Sequence, residues 1–210
     1  MIRVLLADDH AIVRGGLKEI LIRHMESVEC GEAENAEQVL VQIRAHPWDL
    51  LILDITMPGR SGLDILADIR LLRPELAVLV LSMLPEDQFG KRVLQAGAGG
   101  YLKKESAPEE LIQAIRKVLS GGRYVSPALA EKLVLDLDDD ANRPIHEGLS
   151  GREFEILVML GSGKTVGQIA EEIHLSVTTV STYRARILEK MKMSTNAELM
   201  RYAFRNHLVD

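Results

Sequence analysis

Over its first 120 residues the chain alternates short apolar runs with longer segments whose apolar residues recur every three or four positions, and few folds accommodate that alternation. The runs are IRVLLA (2–7), VECGEA (28–33), LLILD (50–54), AVLVLS (77–82) and GYL (100–102). Between them, 11–24, 36–45, 62–73, 86–96 and 108–119 carry helical spacing. Five strand-then-helix units predict a parallel sheet with helices on both faces. The uniformly apolar LLILD and AVLVL suit strands buried on both sides.

The pattern then changes. After the GG pair at 121–122 comes a helix-capable stretch, SPALAEKLVLDL, and then DDDANRP, a charged run ending in Pro that reads as a flexible connection. From 149 onward only helical patterns appear. The expected division is therefore 1–122, a linker at 123–147, and 148–210. A chain of 210 residues, 47% hydrophobic and 27% charged, suits one or two globular domains. Runs such as AVLVLSML (77–84) fall far short of the roughly 18–20 apolar residues that cross a bilayer, and MIRVLLADD lacks the form of a signal peptide. The expectation is a cytoplasmic protein with no membrane partner. The single cysteine, Cys30, cannot form an internal disulfide and reads as a packed small residue.

Charge separates the same segments. Residues 1–122 hold 14 basic and 18 acidic side chains, 123–147 hold 3 and 6, and 148–210 hold 8 and 7. Within 176–192, Arg184, Arg186, Lys190 and Lys192 face only Glu189, a basic patch on an acidic chain.

The tail contains GSGKT at 161–165, the ending of a phosphate-binding loop, but such a loop needs a glycine at 158, where Val158 stands inside a helical run, and no strand leads in. Helix punctuation fits better. Gly161 or Gly163 ends one helix, and Thr165 with Gln168 forms a capping box that starts the next. Ser150/Glu153 and Thr195/Glu198 repeat the device, and Ser176 can cap LSVTTV, giving about four helices. Helices near 165–173 and 176–191, joined by a short turn, make a helix-turn-helix, whose second helix enters the DNA major groove. Val177, Val180, Ile187 and Met191 can face the core. Thr178, Ser181, Thr182 and Ala185 are left outside, flanked by Arg184 and Arg186. Hydroxyls can reach base edges, and guanidinium groups can pair with phosphate or guanine. A solvated helix in a small bundle would read the same way in isolation.

Several separated landmarks decide between them. LSGRE at 149–153, GKTVGQIA, LS-x-x-TV and K-M-x-x-x-T-N-A-E-L closely resemble the LuxR-type helix-turn-helix domain over about 60 residues. Where many members of that family carry basic residues, this chain has Ser181 and Ala185, which shifts affinity toward Arg184, Arg186 and Lys164.

In the front half, Asp8 and Asp9 follow the first strand, Asp54 ends the third, Ser82 ends the fourth and Lys104 lies just past the fifth. In a parallel sheet all of these sit on the carboxyl edge, where ligands gather at the switch point of strand order. With order 2-1-3-4-5, Asp8, Asp9 and Asp54 converge. Their mutual repulsion calls for a hard divalent cation, usually magnesium. Asp54 could then attack phosphorus to give an aspartyl-phosphate, with Lys104 and Ser82 serving its oxygens. Taken singly, each residue has a plainer role as a helix cap, a turn opener, a strand-end hydroxyl or a solvated lysine. Their shared edge favours the joint reading.

LLADDH, LILDITMPG-x-SG, VLVLS and GYLKKE resemble the receiver domain of two-component response regulators over 1 to about 120. The resemblance implies a five-stranded, doubly wound, flavodoxin-like α/β domain followed by the small all-α four-helix domain. It implies Asp54 as phosphoacceptor, Mg2+ on Asp8, Asp9, Asp54 and the backbone carbonyl of Thr56, Lys104 rather than Lys103 as the phosphate-pairing lysine, and Ser82 with Tyr101 as a switch pair in which Tyr101 follows Ser82 inward. Together the halves resemble the NarL/FixJ class. That implies a sensor histidine kinase as donor, double-stranded promoter DNA as target, and a homodimer on activation, with help from Met200 and Ala203, when the DNA-binding domain is released. Such a protein accepts a phosphoryl group and can lose it, but is not a dedicated enzyme. Two other readings compete. An aspartate-nucleophile phosphatase would want an Asp where Thr56 stands. A partner-controlled binding module would have a vestigial pocket.

Overall fold

The computed structural model describes residues 1–135 and 144–209; most of the DDDANRP run lies outside them. Two compact units form, Met1–Asp138 and Asp139–Asp210.

The first unit is built on five strands, β1 (Ile2–Ala7), β2 (Val28–Ala33), β3 (Leu50–Leu53), β4 (Ala77–Ser82) and β5 (Gly100–Lys103), all parallel and ordered β2-β1-β3-β4-β5. Between and after them run α1 (Ala11–His24), α2 (Ala36–Ala45), α3 (Gly62–Leu72), α4 (Glu86–Gln95) and α5 (Pro108–Leu119). Every residue of β3 is buried, as its unbroken Leu-Leu-Ile-Leu run requires of a central strand covered on both faces. One face packs Val4, Leu6, Leu50, Ile52, Leu79 and Leu81 against α1 and α5 through Leu17, Leu21, Leu111, Ile115 and Val118. Alternate residues point to the opposite face, where Val39, Ile43, Ile65, Ile69, Phe89 and Val93 of α2, α3 and α4 are buried. Edge strand β2 is only partly covered, and Cys30 on it is half-buried, with burial pushing its thiol up. The register that pairs Ala7 with Leu53 sets the next residues, Asp8 and Asp54, side by side at the carboxyl edge, and Asp54 N–H donates to the Ala7 carbonyl at 2.8 Å.

Residues 123–135, expected within the linker, instead pack on the first unit. Tyr124 forms a parallel bridge with Gly100, its N–H donates to the Gly99 carbonyl at 2.8 Å, and its hydroxyl donates to Glu110 Oε1 at 2.9 Å. Burial, together with that carboxylate, pushes the Tyr124 phenol up to about 12. Helix α6 (Pro127–Leu135) then lies on α4. Leu129 is 2% exposed and fills the space over Gly90, where a Cβ would come within 2.5 Å of Leu129 Cδ2. Lys132 Nζ donates to the Asp87 carbonyl at 2.7 Å. Leu129→Ala is expected to cost about 2 kcal/mol, the lower end for a buried leucine near a surface, and to speed hydrogen exchange at amides 128–135. Unchanged exchange there would show that α6 is held by something other than this side chain.

Among its described residues the second unit holds a 3-10 turn (Ile145–Gly148) and four helices, α7 (Gly151–Gly161), α8 (Val166–Glu172), α9 (Val177–Lys190) and α10 (Asn196–Arg205). All three expected capping boxes form, at Ser150/Glu153, Thr165/Gln168 and Thr195/Glu198, and Ser176 Oγ accepts from Thr179 N–H at 3.0 Å. Gly163 has φ +84°, the left-handed value that lets the chain turn out of α7 toward α8, so GSGKT is a helix ending. Phe154, Leu157, Ile169, Val180, Ile187, Leu199 and Ala203 are buried in this unit. The His146 ring stacks on Phe154 with centroids 5.6 Å apart and places Nδ1 3.0 Å from the Tyr202 hydroxyl.

Candidate functional site

The carboxyl edge of the sheet brings together Asp8, Asp9, Asp54, Ser82, Tyr101 and Lys104. Asp8 and Asp54 are 2% and 3% exposed. Between them sits the Lys104 ammonium, 2.6 Å from Asp8 Oδ2 and 2.7 Å from Asp54 Oδ2. Lys103, on β5, is exposed, whereas Lys104 turns inward just past the strand end. Burial pushes the Asp54 carboxyl up to about 6 despite the opposing pull of Lys104. Burial also pulls the Lys104 ammonium down, but Asp54 and Asp8 outweigh it and hold Lys104 above its ordinary value. The loop after Asp54 is tightly closed: Thr56 N–H donates to Asp54 Oδ1 at 3.1 Å, and Gly62 N–H donates to the Ile55 carbonyl at 2.8 Å. Only glycine fits at 62, because a Cβ there would lie 2.1 Å from the Asp54 carbonyl oxygen.

Asp8, Asp9 and Asp54 each offer one carboxylate oxygen, all within 4.8 Å of one another. That donor set fits a hard divalent cation of the magnesium type, which takes oxygen ligands from a few carboxylates. Sequence reasoning passed over two neighbours of this cluster. His10 Nδ1 lies 2.8 Å from Asp9 Oδ1 and 3.2 Å from Asp8 Oδ1. Arg14, 5% exposed, donates from Nη1 to the Asp8 carbonyl at 2.7 Å, from Nε to Glu32 at 2.9 Å and from Nη2 to Glu34 at 2.8 Å. It fastens the end of β1 to the end of β2 and the turn beyond. The available signal was an arginine on the same helical stripe as Leu17 and Leu21.

Ser82 and Tyr101 meet through one residue. Leu84 N–H donates to Ser82 Oγ at 3.3 Å, and the Tyr101 hydroxyl donates to the Leu84 carbonyl at 2.6 Å. Both side chains are fully buried, and burial raises the Tyr101 phenol above its ordinary value. In this conformation the Tyr101 ring lies inside, where the Leu84 carbonyl gives its hydroxyl a partner.

In the second unit, α8 and α9 form the expected helix-turn-helix. Val180, Ile187 and Met191 are buried as read from the sequence, but Val177, the first residue of α9, is 56% exposed. Thr178, Ser181, Thr182, Ala185 and Arg186 are exposed. Arg184 and Lys164 have partners inside the unit. Arg184 Nε donates to Asn196 Oδ1 at 2.5 Å, and Lys164 Nζ lies 2.7 and 2.5 Å from the two Glu172 carboxylate oxygens. Ala203, expected to help a dimer contact, is buried beneath α7, where a Cβ on Gly161 would come within 2.7 Å of it. The large exposed apolar side chains of α10 are Met200 and Phe204, at 41% and 65%.

Residues 4–116 match the response regulator receiver domain family, and residues 147–203 match the luxR family of bacterial regulatory proteins. The chain is 38% identical over 210 residues to the response regulator GacA of Pseudomonas protegens, covering 100% of this chain and 99% of that one. It is 36% identical over 211 residues to the response regulator UvrY of Escherichia coli strain K12, covering 99% and 96%. Among solved structures, RcsB of Salmonella enterica serovar Typhimurium bound to promoter rprA in the presence of phosphomimetic BeF3- aligns with TM-score 0.60 at 25% identity, covering 96% of this chain and 98% of that one. A two-component response regulator RcsB-DNA complex aligns with TM-score 0.59 at 25% identity, covering 97% and 98%.

Proposed function

The chain belongs to the two-component response regulators that join a receiver domain to a LuxR-type DNA-binding domain, and on that premise we propose that a phosphoryl group on Asp54 controls how it binds promoter DNA. The observation that carries this reading is the Lys104 ammonium set between two buried carboxylates at 2.6 and 2.7 Å, on the sheet edge where β1 and β3 part. A buried carboxylate held beside a cation is a nucleophile with charge compensation already in place.

A phosphohistidine of a sensor histidine kinase is the proposed donor. An Asp54 oxygen attacks phosphorus, the P–N bond breaks, and the imidazole leaves with the electron pair and takes up a proton. Asp8, Asp9, Asp54 and the Thr56 carbonyl would hold a magnesium ion, which would supply positive charge against the phosphoryl oxygens. Lys104 exchanges its Asp54 contact for a phosphoryl oxygen, a charge-assisted bond to a more highly charged acceptor. Ser82 donates its hydroxyl to another. Ser82 and Tyr101 both hold Leu84, so turning Ser82 toward the phosphate shifts the loop that leads into α4. Because α6 rests on α4, the shift reaches the segment leading to the second unit. The DNA-binding unit is then released to pair with a second copy, with Met200 and Phe204 of α10 available for contact, and two copies read two half-sites. The division into receiver, linker and DNA-binding domain belongs to the same proposal, with 123–135 riding on the receiver. Thr178, Ser181 and Thr182 face the groove, with Arg186, Arg184 and Lys164 nearest the backbone phosphates. The protein acts as a phosphoacceptor rather than a turnover enzyme, in the cytoplasm; among the described residues no helix is long and apolar enough to cross a membrane.

Incubating the full chain with acetyl phosphate and magnesium should add the mass of one phosphoryl group and raise the molar mass in solution toward that of a dimer, with tighter binding to duplex DNA. An adduct that leaves both molar mass and DNA binding unchanged would sink the coupling. Absence of any adduct would sink the phosphoacceptor role itself.

A further inference from the structure

The groove-facing side of α9 offers few groups that can grip guanine and several that carry methyls. Val177 is 56% exposed at the start of the helix, and Thr178, Ser181, Thr182 and Ala185 are exposed along it. The arginines on its flanks have other contacts: Arg184 Nε donates to Asn196, and the Arg186 guanidinium lies 6.0 Å from the centre of the Tyr183 ring. Lys190, farther along, sits 2.6 Å from Glu153 Oε2. Thr179 belongs to the cap, its hydroxyl 2.8 Å from Ser176 Oγ. The Thr182 hydroxyl donates to the Thr178 carbonyl at 3.0 Å, which spends its only proton inside the helix. Thr182 therefore brings a methyl group and an acceptor lone pair to the groove.

In the major groove, guanine is read chiefly by a bidentate arginine or lysine, whereas thymine exposes a 5-methyl group that Ala and Thr methyls contact. We propose that α9 selects its half-site through contacts between its own methyl groups, those of Val177, Thr178, Thr182 and Ala185, and thymine 5-methyl groups, with the Ser181 hydroxyl as the principal hydrogen-bonding reader. This rests on the DNA-binding reading above and adds what that helix recognises.

The test begins with duplexes selected from a random library by the full chain in magnesium and acetyl phosphate. Thymines in the selected site are then replaced one at a time by deoxyuridine, which removes only the methyl. Each contacted position should lose about three- to fourfold in affinity, the worth of one buried methyl. Thr182→Ser keeps the hydroxyl and its bond to Thr178 while deleting the methyl, and Val177→Ala shortens the other end of the face. Either variant should lose a similar factor on the thymine duplex and nothing further on the duplex lacking the contacted methyl. Affinity indifferent to deoxyuridine, or variant losses equal on both duplexes, overturns methyl readout while leaving DNA binding intact. Failure to enrich any sequence overturns specific binding altogether, and methyl readout with it.

Discussion

Asp54→Asn is expected to stabilise the first unit at neutral pH by about 1–3 kcal/mol in magnesium-free buffer, while abolishing the acetyl-phosphate adduct. Burial raises the Asp54 carboxyl from its ordinary 3.8 to about 6, so the folded state keeps the proton after the unfolded state has lost it. The sign follows from linkage. Below about pH 4 both states are protonated and the carboxyl costs nothing. As pH rises through 6 the folded state must ionise a buried group, and stability falls by roughly 1.4 kcal/mol per pH unit across that window. Asparagine never ionises, so its advantage over aspartate should grow between about pH 4 and pH 6 and then level off. It stays below the full linkage value because Lys104 loses the Asp54 contact at 2.7 Å and keeps only Asp8. Denaturation midpoints of both proteins at several pH values measure this directly. A variant equal to or weaker than wild type at pH 7 would mean that the site is not held under electrostatic strain.

Lys104→Met should act in the opposite direction. Removing one partner of a buried ion pair typically costs about 3–5 kcal/mol, because it leaves charge uncompensated. Here the ammonium bridges two carboxylates, each 3% exposed at its side chain, while Lys104 itself is only 11% exposed. Proton uptake by Asp54 limits the loss, so about 3 kcal/mol is the expected deficit in chelator at pH 7. Millimolar magnesium should narrow the gap, since a cation that binds only the folded carboxylate cluster stabilises it by mass action. The measurement is a denaturation series with and without magnesium for both proteins. A deficit that magnesium leaves untouched would mean that the three carboxylates do not form one cation site.

Much of the fold was legible because its signals are local. The strand runs and helix periods lie within a residue or two of the observed elements, and all three capping boxes close, because a hydroxyl and a carboxyl or amide three positions apart need no distant partner. The acidic site was legible too, because strand ends in a parallel sheet share one edge. Arg14 was not, because its partners Glu32 and Glu34 belong to β2 and the turn after it. Helix α6 read as a helix-capable stretch within the linker, and nothing in its own pattern named Gly90 as the surface it would cover. Val177 and Ala203 failed in complementary ways: helical spacing fixes which residues share a stripe, but not how far along the helix its neighbours reach.

The sequence by itself therefore determined the order of strands and helices, the points where helices begin and end, and the identity of the carboxylates, lysine and hydroxyls available for chemistry. All of these follow from chain-local periodicity, capping and residue type. Only the tertiary structure decided that Lys104 stands between Asp8 and Asp54, that Tyr101 lies inside on the Leu84 carbonyl, that α6 belongs to the first unit, and which cations of the second unit already have partners. Those outcomes depend on which surfaces meet across long separations in the chain. Burial then sets the strength of every charge they bring together, through desolvation that no local pattern encodes.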